Sequence, residues 1–180
     1  DTDAGTDSET DSDTDTDTDS GTDTDGSVPC EGGPAPADVD TASCTTEAIS
    51  LGCNESLVAT VEGGTSQLTG EAYQGWFCAG VNTSAYAGTE RLYELIHPGT
   101  GMVTVTLDTP CDDLDLFAFA WADDGECPRA GTSISDCEGS AGTGDTEELS
   151  IWNNQVSRYV VAVEGAASPE VPFAISVSCE

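Results

Sequence analysis

Residues 101–109 read GMVTVTLDT, and their alternation decides the fold. Val103, Val105 and Leu107 share one side of an extended chain, while Met102, Thr104 and Thr106 share the other. Successive side chains of a strand point to opposite faces, so a period of two marks a strand in a sheet with one buried face. The same period recurs downstream. In SRYVVAVEG, Tyr159, Val161 and Val163 face together. In VPFAISVSC, Phe173, Ile175, Val177 and Cys179 point inward, and Ala174, Ser176 and Ser178 point outward. No stretch of helical length carries an apolar stripe. The expected strands are 48–52, 56–62, 91–97, 101–107, 113–121, 146–151, 158–164 and 172–179. Short strands separated by turn residues predict an all-β, jelly-roll-like β-sandwich.

Outward from these strands the composition changes twice. Residues 1–27 read DTDAGTDSETDSDTDTDTDSGTDTDGS, with no apolar side chain beyond Ala4, so this acidic tract cannot build a core. Residues 28–48 are rich in Pro, Gly and Ala and read as a connector pinned by Cys30 and Cys44, leaving 49–180 as the sandwich domain. The tail reads first as a solvated spacer. It also offers O-linked glycosylation at Thr14, Thr16 and Thr18, and its extended D-T-D-T tract could pair with a neighbour's sheet edge. A discrete calcium loop does not fit: Asp15, Asp17 and Asp19 stand at positions 1, 3 and 5, but position 6 is Ser20 where glycine is needed.

The chain of 180 residues carries 35 acids against 3 arginines, a formal charge of −32. Such a surface repels nucleic acid and anionic lipid. The lack of lysine excludes lysine-dependent chemistry, and the single histidine, His97, excludes a His-rich metal centre. Hydrophobic residues amount to 37%, a lean supply for a core, and eight cysteines (30, 44, 53, 78, 111, 127, 137 and 179) compensate as disulfides, which implies export. Cys127 and Cys137 are expected to close a local hairpin loop, and Cys53 or Cys78 to join Cys179. No stretch approaches the length of a membrane span. No basic-then-apolar leader is present, so an exported chain of this kind is expected to be a mature form.

Four pieces of 49–180 stand in a familiar order: ISLGCNESLVATV (49–61), YAGTERLYELIHPGTGMVTVTLDTPCDDLDLFAFAW (86–121), the cysteine-bounded CPRAGTSISDC (127–137), and RYVVAVEGAASPEVPFAISVSC (158–179). Together they resemble the bacterial pre-peptidase C-terminal domain, in its cysteine-containing variety. Similar modules show a Gly-Glu-x-x-Tyr opening, a DLDL(Y/F) strand and a Tyr-Val-x-Val-(Asp/Glu)-Gly strand. Here the opening, Gly88-Thr89-Glu90-Arg91-Leu92-Tyr93, is one residue longer. The resemblance stops short of residues 1–48. It implies an extracellular β-sandwich with an accessory, adhesive or substrate-engaging role and no catalysis, and similar modules sometimes bind calcium.

Candidate chemistry is sparse. Asp112, Asp113 and Asp115 in CDDLDLFAF, with Asp108 or Glu90 nearby, could supply oxygen ligands to calcium, the alternative being turn-side hydrogen bonding. In a strand, Asp113 and Asp115 would face with Phe117, Phe119 and Trp121, and Leu114, Leu116, Ala118 and Ala120 would face the other way. Trp121 and Trp152 are the carbohydrate-contact candidates, with Trp76, Tyr73 and Tyr86 weighed beside them; Trp76-Phe77-Cys78 reads as packing beside a disulfide. Asn54 and Asn82 satisfy the N-glycan acceptor pattern and mark exposed turns. His97, in LIHPGTG, reads as a turn residue without a nucleophile elbow, and no carboxylate pair stands out as a glycosidase's. The expected function is a non-enzymatic extracellular structural module, a subunit of a surface fibre or matrix assembling through tail-to-sandwich contacts with its own kind or other surface proteins. The alternatives are a monomeric calcium- or carbohydrate-binding adhesion module and the accessory domain of a secreted hydrolase.

Overall fold

The computed structural model describes residues 44, 49–79, 86–122, 126–165 and 171–180. The acidic tail 1–27, with Thr14, Thr16 and Thr18, and most of the connector lie outside the described residues, as do Cys30 and Asn82. Among the described residues nine strands and one short helix follow in the order β1 (Ile49–Leu51), β2 (Ser56–Thr60), α1 (Gly70–Tyr73), β3 (Glu90–Pro98), β4 (Met102–Asp108), β5 (Leu114–Trp121), β6 (Ile134–Ser140), β7 (Thr146–Trp152), β8 (Val156–Gly165) and β9 (Pro172–Cys179). They form a five-stranded sheet, β1-β3-β8-β5-β6, and a four-stranded sheet, β2-β9-β4-β7. Pairing is antiparallel throughout except for β1 with β3.

One apolar cluster lies between the sheets. Val103, Val105 and Leu107 of β4 meet Phe173, Ile175 and Val177 of β9 there, together with Leu95, Leu114, Leu116, Tyr159, Val161 and Val163 from the other sheet. The period-two stretches therefore point inward as read from the sequence. Burying one such aliphatic side chain is worth about 1.5–3 kcal/mol.

A sheet with one buried face describes only the four-stranded sheet. The five-stranded sheet buries both. Phe117, Phe119, Val160, Ala162 and Leu92 form a second cluster on its outer side, beneath Leu68, Ala72, Tyr73, Trp76 and Tyr86. These covering residues belong to the segment between β2 and β3, which carries α1. Covering both faces is what lets β5 read LDLFAFAW, apolar in both phases. Tyr73 lies 4.9 Å from Trp76 and 5.1 Å from Phe117, ring centre to ring centre, and Trp76 lies 4.8 Å from Phe119. Offset and edge contacts of this kind add about 0.5–1.5 kcal/mol per pair beyond burial.

Two expectations are corrected. Residues 127–137 are no stapled loop: β6, absent from the expected strands, begins at Ile134 and pairs with β5, Phe119 opposite Cys137. Accordingly Cys127 and Cys137 do not bond to each other. Cys137 joins Cys78 and Cys127 joins Cys44. The reason is packing: Cys137 is buried on the face under the covering segment, whose Cys78 comes down onto it. Cys53 joins Cys179 with Cα atoms 5.5 Å apart, tying the β1–β2 turn to the end of β9. Cys111 is disulfide-bonded as well.

His97 is the second correction. It belongs to β3 rather than to a turn, and it is fully buried. Its Nδ1 accepts from the Gly99 N–H at 3.0 Å, which leaves the proton on Nε2, 3.3 Å from the Ile151 carbonyl across the core. The β3–β4 turn beside it demands glycine. Gly99 and Gly101 have φ of +80° and +74°, and a Cβ on Gly101 would sit 1.9 Å from the Glu180 carbonyl oxygen.

Candidate functional site

The described residues hold one concentration of abnormal acids, at one end of the doubly covered sheet. Glu90 of β3 pairs in register with Glu164 of β8, and Glu164 pairs with Asp115 of β5. All three share the outer face with Leu92, Ala162 and Phe117. The result is a row of carboxyls across three adjacent strands, with Glu90 and Glu164 fully buried and Asp115 half-buried. Directly opposite side chains in a sheet have Cβ atoms about 4.5–5.5 Å apart, and like charges so placed repel.

The covering segment supplies partners. Glu90 Oε1 accepts from Thr65 Oγ1 at 2.6 Å, from the Gln67 N–H at 2.5 Å and from the Leu68 N–H at 3.2 Å. Glu90 Oε2 is buried with no hydrogen-bond partner. Tyr73 donates its hydroxyl to Glu164 Oε1, and Tyr86 hydrogen-bonds Asp115. Burial pushes Glu164 from the ordinary carboxylate range up to about 8; Glu90 and Asp115 push it the same way, while Tyr73 opposes. Burial likewise lifts Asp115 to about 6, aided by Asp113 and Glu147 and opposed by Tyr86. Burial and the facing acids raise both tyrosines as well.

Of the predicted calcium ligands, Asp112, Asp113 and Asp115 stand together at the start of β5, and Asp108 lies apart from them. Asp108 ends β4 on the outer side of the four-stranded sheet, in a shallow groove with Ser56, Val58, Thr106 and Ser176. Asp112 and Asp113 are exposed before β5, the Asp113 N–H donating to Asp112 Oδ1 at 2.8 Å. Asp115 faces Tyr86 on the opposite side of the sandwich from Asp108. Among the described residues, no group of three or more His, Cys, Asp and Glu could hold a metal ion.

Nor do the two tryptophans share a platform. Trp121, half-buried, packs on Phe119, and the Arg158 guanidinium lies 5.8 Å from its ring centre. Arg158 also pairs with Glu94 at 2.6 Å and donates to the Cys44 carbonyl, so this end of the sheet is an occupied contact. Trp152 stands 63% exposed on the other sheet, opposite Met102. Tyr73, Tyr86 and Trp76 are buried packing, while Phe77 beside the disulfide is exposed. Asn54 sits in an exposed turn with φ of 61°.

Sequence reasoning named Glu90 only as a neighbour of the calcium candidates and passed over Glu164. The signal was present. In RYVVAVEG, Glu164 shares its phase with Val160 and Ala162, and Glu90 shares its phase with Leu92. An acid in step with apolar residues points at a covered face.

No protein-family model matches this chain, and no curated protein does. A solved structure, the pre-peptidase C-terminal domain of a collagenase from Bacillus anthracis, is similar at 10% identity and a TM-score of 0.45, over 73% of this chain and 95% of that one. No described helix is long and apolar enough to cross a membrane.

Proposed function

We propose that the chain is a non-catalytic extracellular structural module, a subunit of a surface fibre or matrix. The observation that carries this reading is the set of long-range staples. Disulfides span 126, 83 and 59 residues of sequence, an economy suited to an oxidising compartment and to a lean core. The strand order supports a jelly roll, β2-β9-β4-β7 facing β3-β8-β5-β6, with β1 added at an edge. The unusual acids favour a structural role over catalysis, because Glu90 and Glu164 lie beneath the covering segment, out of a substrate's reach. Assembly through the acidic tail is tested by electron microscopy of the whole chain and of a chain lacking residues 1–27. Filaments or large oligomers that vanish with the deletion support it; an assembly state indifferent to the deletion removes it.

Calcium-dependent adhesion is the second reading, favoured by the proximity of Asp113 to Asp115 that helps lift the latter's pKa. It expects a chelator to lower the melting temperature, and Asp113→Asn with Asp115→Asn to abolish that effect. An unchanged melting temperature with the chelator ends it.

A further inference from the structure

We propose that residues 65–79 form a proton-held strap, closed on the five-stranded sheet while the carboxyl row Glu90–Glu164–Asp115 retains a proton and lifted when that proton leaves. Several of the strap's polar fastenings meet the row. Thr65 exchanges backbone hydrogen bonds with Glu90 at 2.9 and 2.8 Å, and the Thr65 hydroxyl and the Gln67 and Leu68 N–H groups all donate to Glu90 Oε1. Tyr73 of α1 donates to Glu164. At its far end the strap is bonded to the sheet through Cys78–Cys137. That covalent hinge lets the strap swing away without leaving, so opening is local and reversible.

The groups around the row make it a proton site. The acids and phenols that face Glu164 are Glu90 on β3, Asp115 on β5 and Tyr73 on α1; Tyr86, Asp113 and Glu147 surround Asp115. The described cations lie elsewhere. Arg91 donates to the Thr60 and Glu62 carbonyls, Arg158 pairs with Glu94, and Arg129 pairs with Glu126 on the surface. A row of buried carboxylates without a facing cation is held together most cheaply by protonation, since two like charges at one site do not ionise together. Glu90, the residue paired with Glu164, keeps its Oε2 buried with no hydrogen-bond partner, so a second charge beside it is poorly satisfied. Loss of the proton leaves adjacent buried anions, and the Tyr73 hydroxyl can serve only one of them.

The direction follows from linkage. Burial, to which the closed strap contributes, raises Glu164 from its ordinary value of 4.5 to about 8; Glu90 and Asp115 on the sheet push the same way and the strap's Tyr73 opposes, so lifting the strap relieves the burial part of the rise. Closure is therefore fully favoured below the ordinary value and is lost as pH rises through the raised one.

The test is amide hydrogen exchange on the intact, oxidised chain in buffer containing a chelator, so that no divalent cation competes with the proton. Corrected for the intrinsic exchange rate, protection of residues 66–74 should fall by about tenfold or more between about pH 6 and about pH 9, while β9 stays protected. Glu164→Gln keeps an acceptor for Tyr73 and cannot ionise, so its strap protection should lose most of the fall between about pH 6 and about pH 9, leaving only the small part due to Asp115. Wild-type protection that is flat over this range overturns the proposal, as does an unaltered pH dependence in the variant. Should the variant fail to fold, carboxyl carbon NMR of the wild-type chain decides. One glutamate titrating near 8 in step with strap opening upholds the latch; side-chain carboxyls that all finish titrating below about pH 6 refute it.

Discussion

On the outer side of the five-stranded sheet, Phe117, Phe119, Val160 and Ala162 lie beneath Tyr73 and Trp76. On the outer side of the four-stranded sheet, Thr104, Thr106, Ser176 and Ser178 belong to neither apolar cluster. The inner faces are alike; the outer faces differ because of what is written in the second phase of each strand. In β4 and β9 that phase is mainly Thr, Ser and Ala, with Met102 and Pro172 at strand ends, and solvent satisfies it. In β5 and β8 it is aromatic and aliphatic, which requires a cover, and the segment after β2 provides it. The cover brings with it the abnormal acids among the described residues, since a carboxylate meets dry surroundings on an outer face only where something lies on top. The comparison breaks first at Phe117. Phe117→Ala should lower unfolding free energy by about 3–5 kcal/mol, because the ring is fully buried between sheet and cover. Thr104→Ala, at a comparable mid-strand position on the bare face, should cost about 0.5 kcal/mol or less. Urea unfolding of both variants, each referred to wild type, measures the contrast. Equal losses would mean that the cover contributes no core.

The staples sharpen the same contrast. Cys53→Ser with Cys179→Ser releases the β1–β2 turn from the end of β9 and should cost about 2–4 kcal/mol. Cys78→Ser with Cys137→Ser should cost a similar amount globally, but its local signature differs: hydrogen exchange should rise chiefly in residues 66–79. If both pairs loosen the same residues, the strap is not an independent unit.

What was legible in the sequence divides along this line. Period-two strands with one apolar phase, such as β4, β7 and β9, were readable because alternation reports a single buried face directly. β5 was readable too, including the split of its phases, Leu114 and Leu116 against Phe117 and Phe119. β6 was not. Ile134–Ser140 reads ISDCEGS, with little apolar alternation, because it is an edge strand whose buried contact is made chiefly by Cys137. Of the disulfides, Cys53–Cys179 was one of the two pairings expected for Cys179, but the partners of Cys127 and Cys137 were illegible for a related reason. Sequence distance favours joining Cys127 to Cys137, whereas the bonds depend on which segment lies over the sheet, a fact carried by Tyr73 and Trp76 rather than by cysteine spacing. His97 next to Pro98 and Gly99 looked like a turn, and only a tertiary contact with the Ile151 carbonyl shows why a strand-end histidine is buried.

The acid row gives a smaller, pH-dependent test of the comparison. Asp115 is lifted from 3.8 to about 6, so its contribution is present below the lower value and is lost as pH rises through the higher one. Stability against urea should therefore fall over that interval, and Asp115→Asn should remove part of the fall. Because Asp115 is half-exposed and water screens it, the effect is on the order of 1 kcal/mol. Asp108→Asn, at the end of β4 on the bare face, removes the same charge and is the control. The same slope change from both substitutions would assign the pH dependence to net charge rather than to the covered face.

The smallest expected effect is at Trp152, and it is informative for that reason. The side chain is 63% exposed, and its neighbour across the pairing, Met102, is only half-buried. Trp152→Ala should therefore change unfolding free energy by about 0.5 kcal/mol or less. A large aromatic that contributes so little to its own fold is free to contribute to something else, and a stable variant makes that separable. If glycan binding or self-assembly falls in Trp152→Ala while stability holds, the bare face is a contact face, and the two sides of the sandwich have divided labour: one closed by the chain itself, the other left for a partner. If both properties persist unchanged, contacts must be sought at the edges of the sheets or in the acidic tail. A marked loss of stability would instead place Trp152 in the packing of its sheet and remove the distinction between covered and bare at that end.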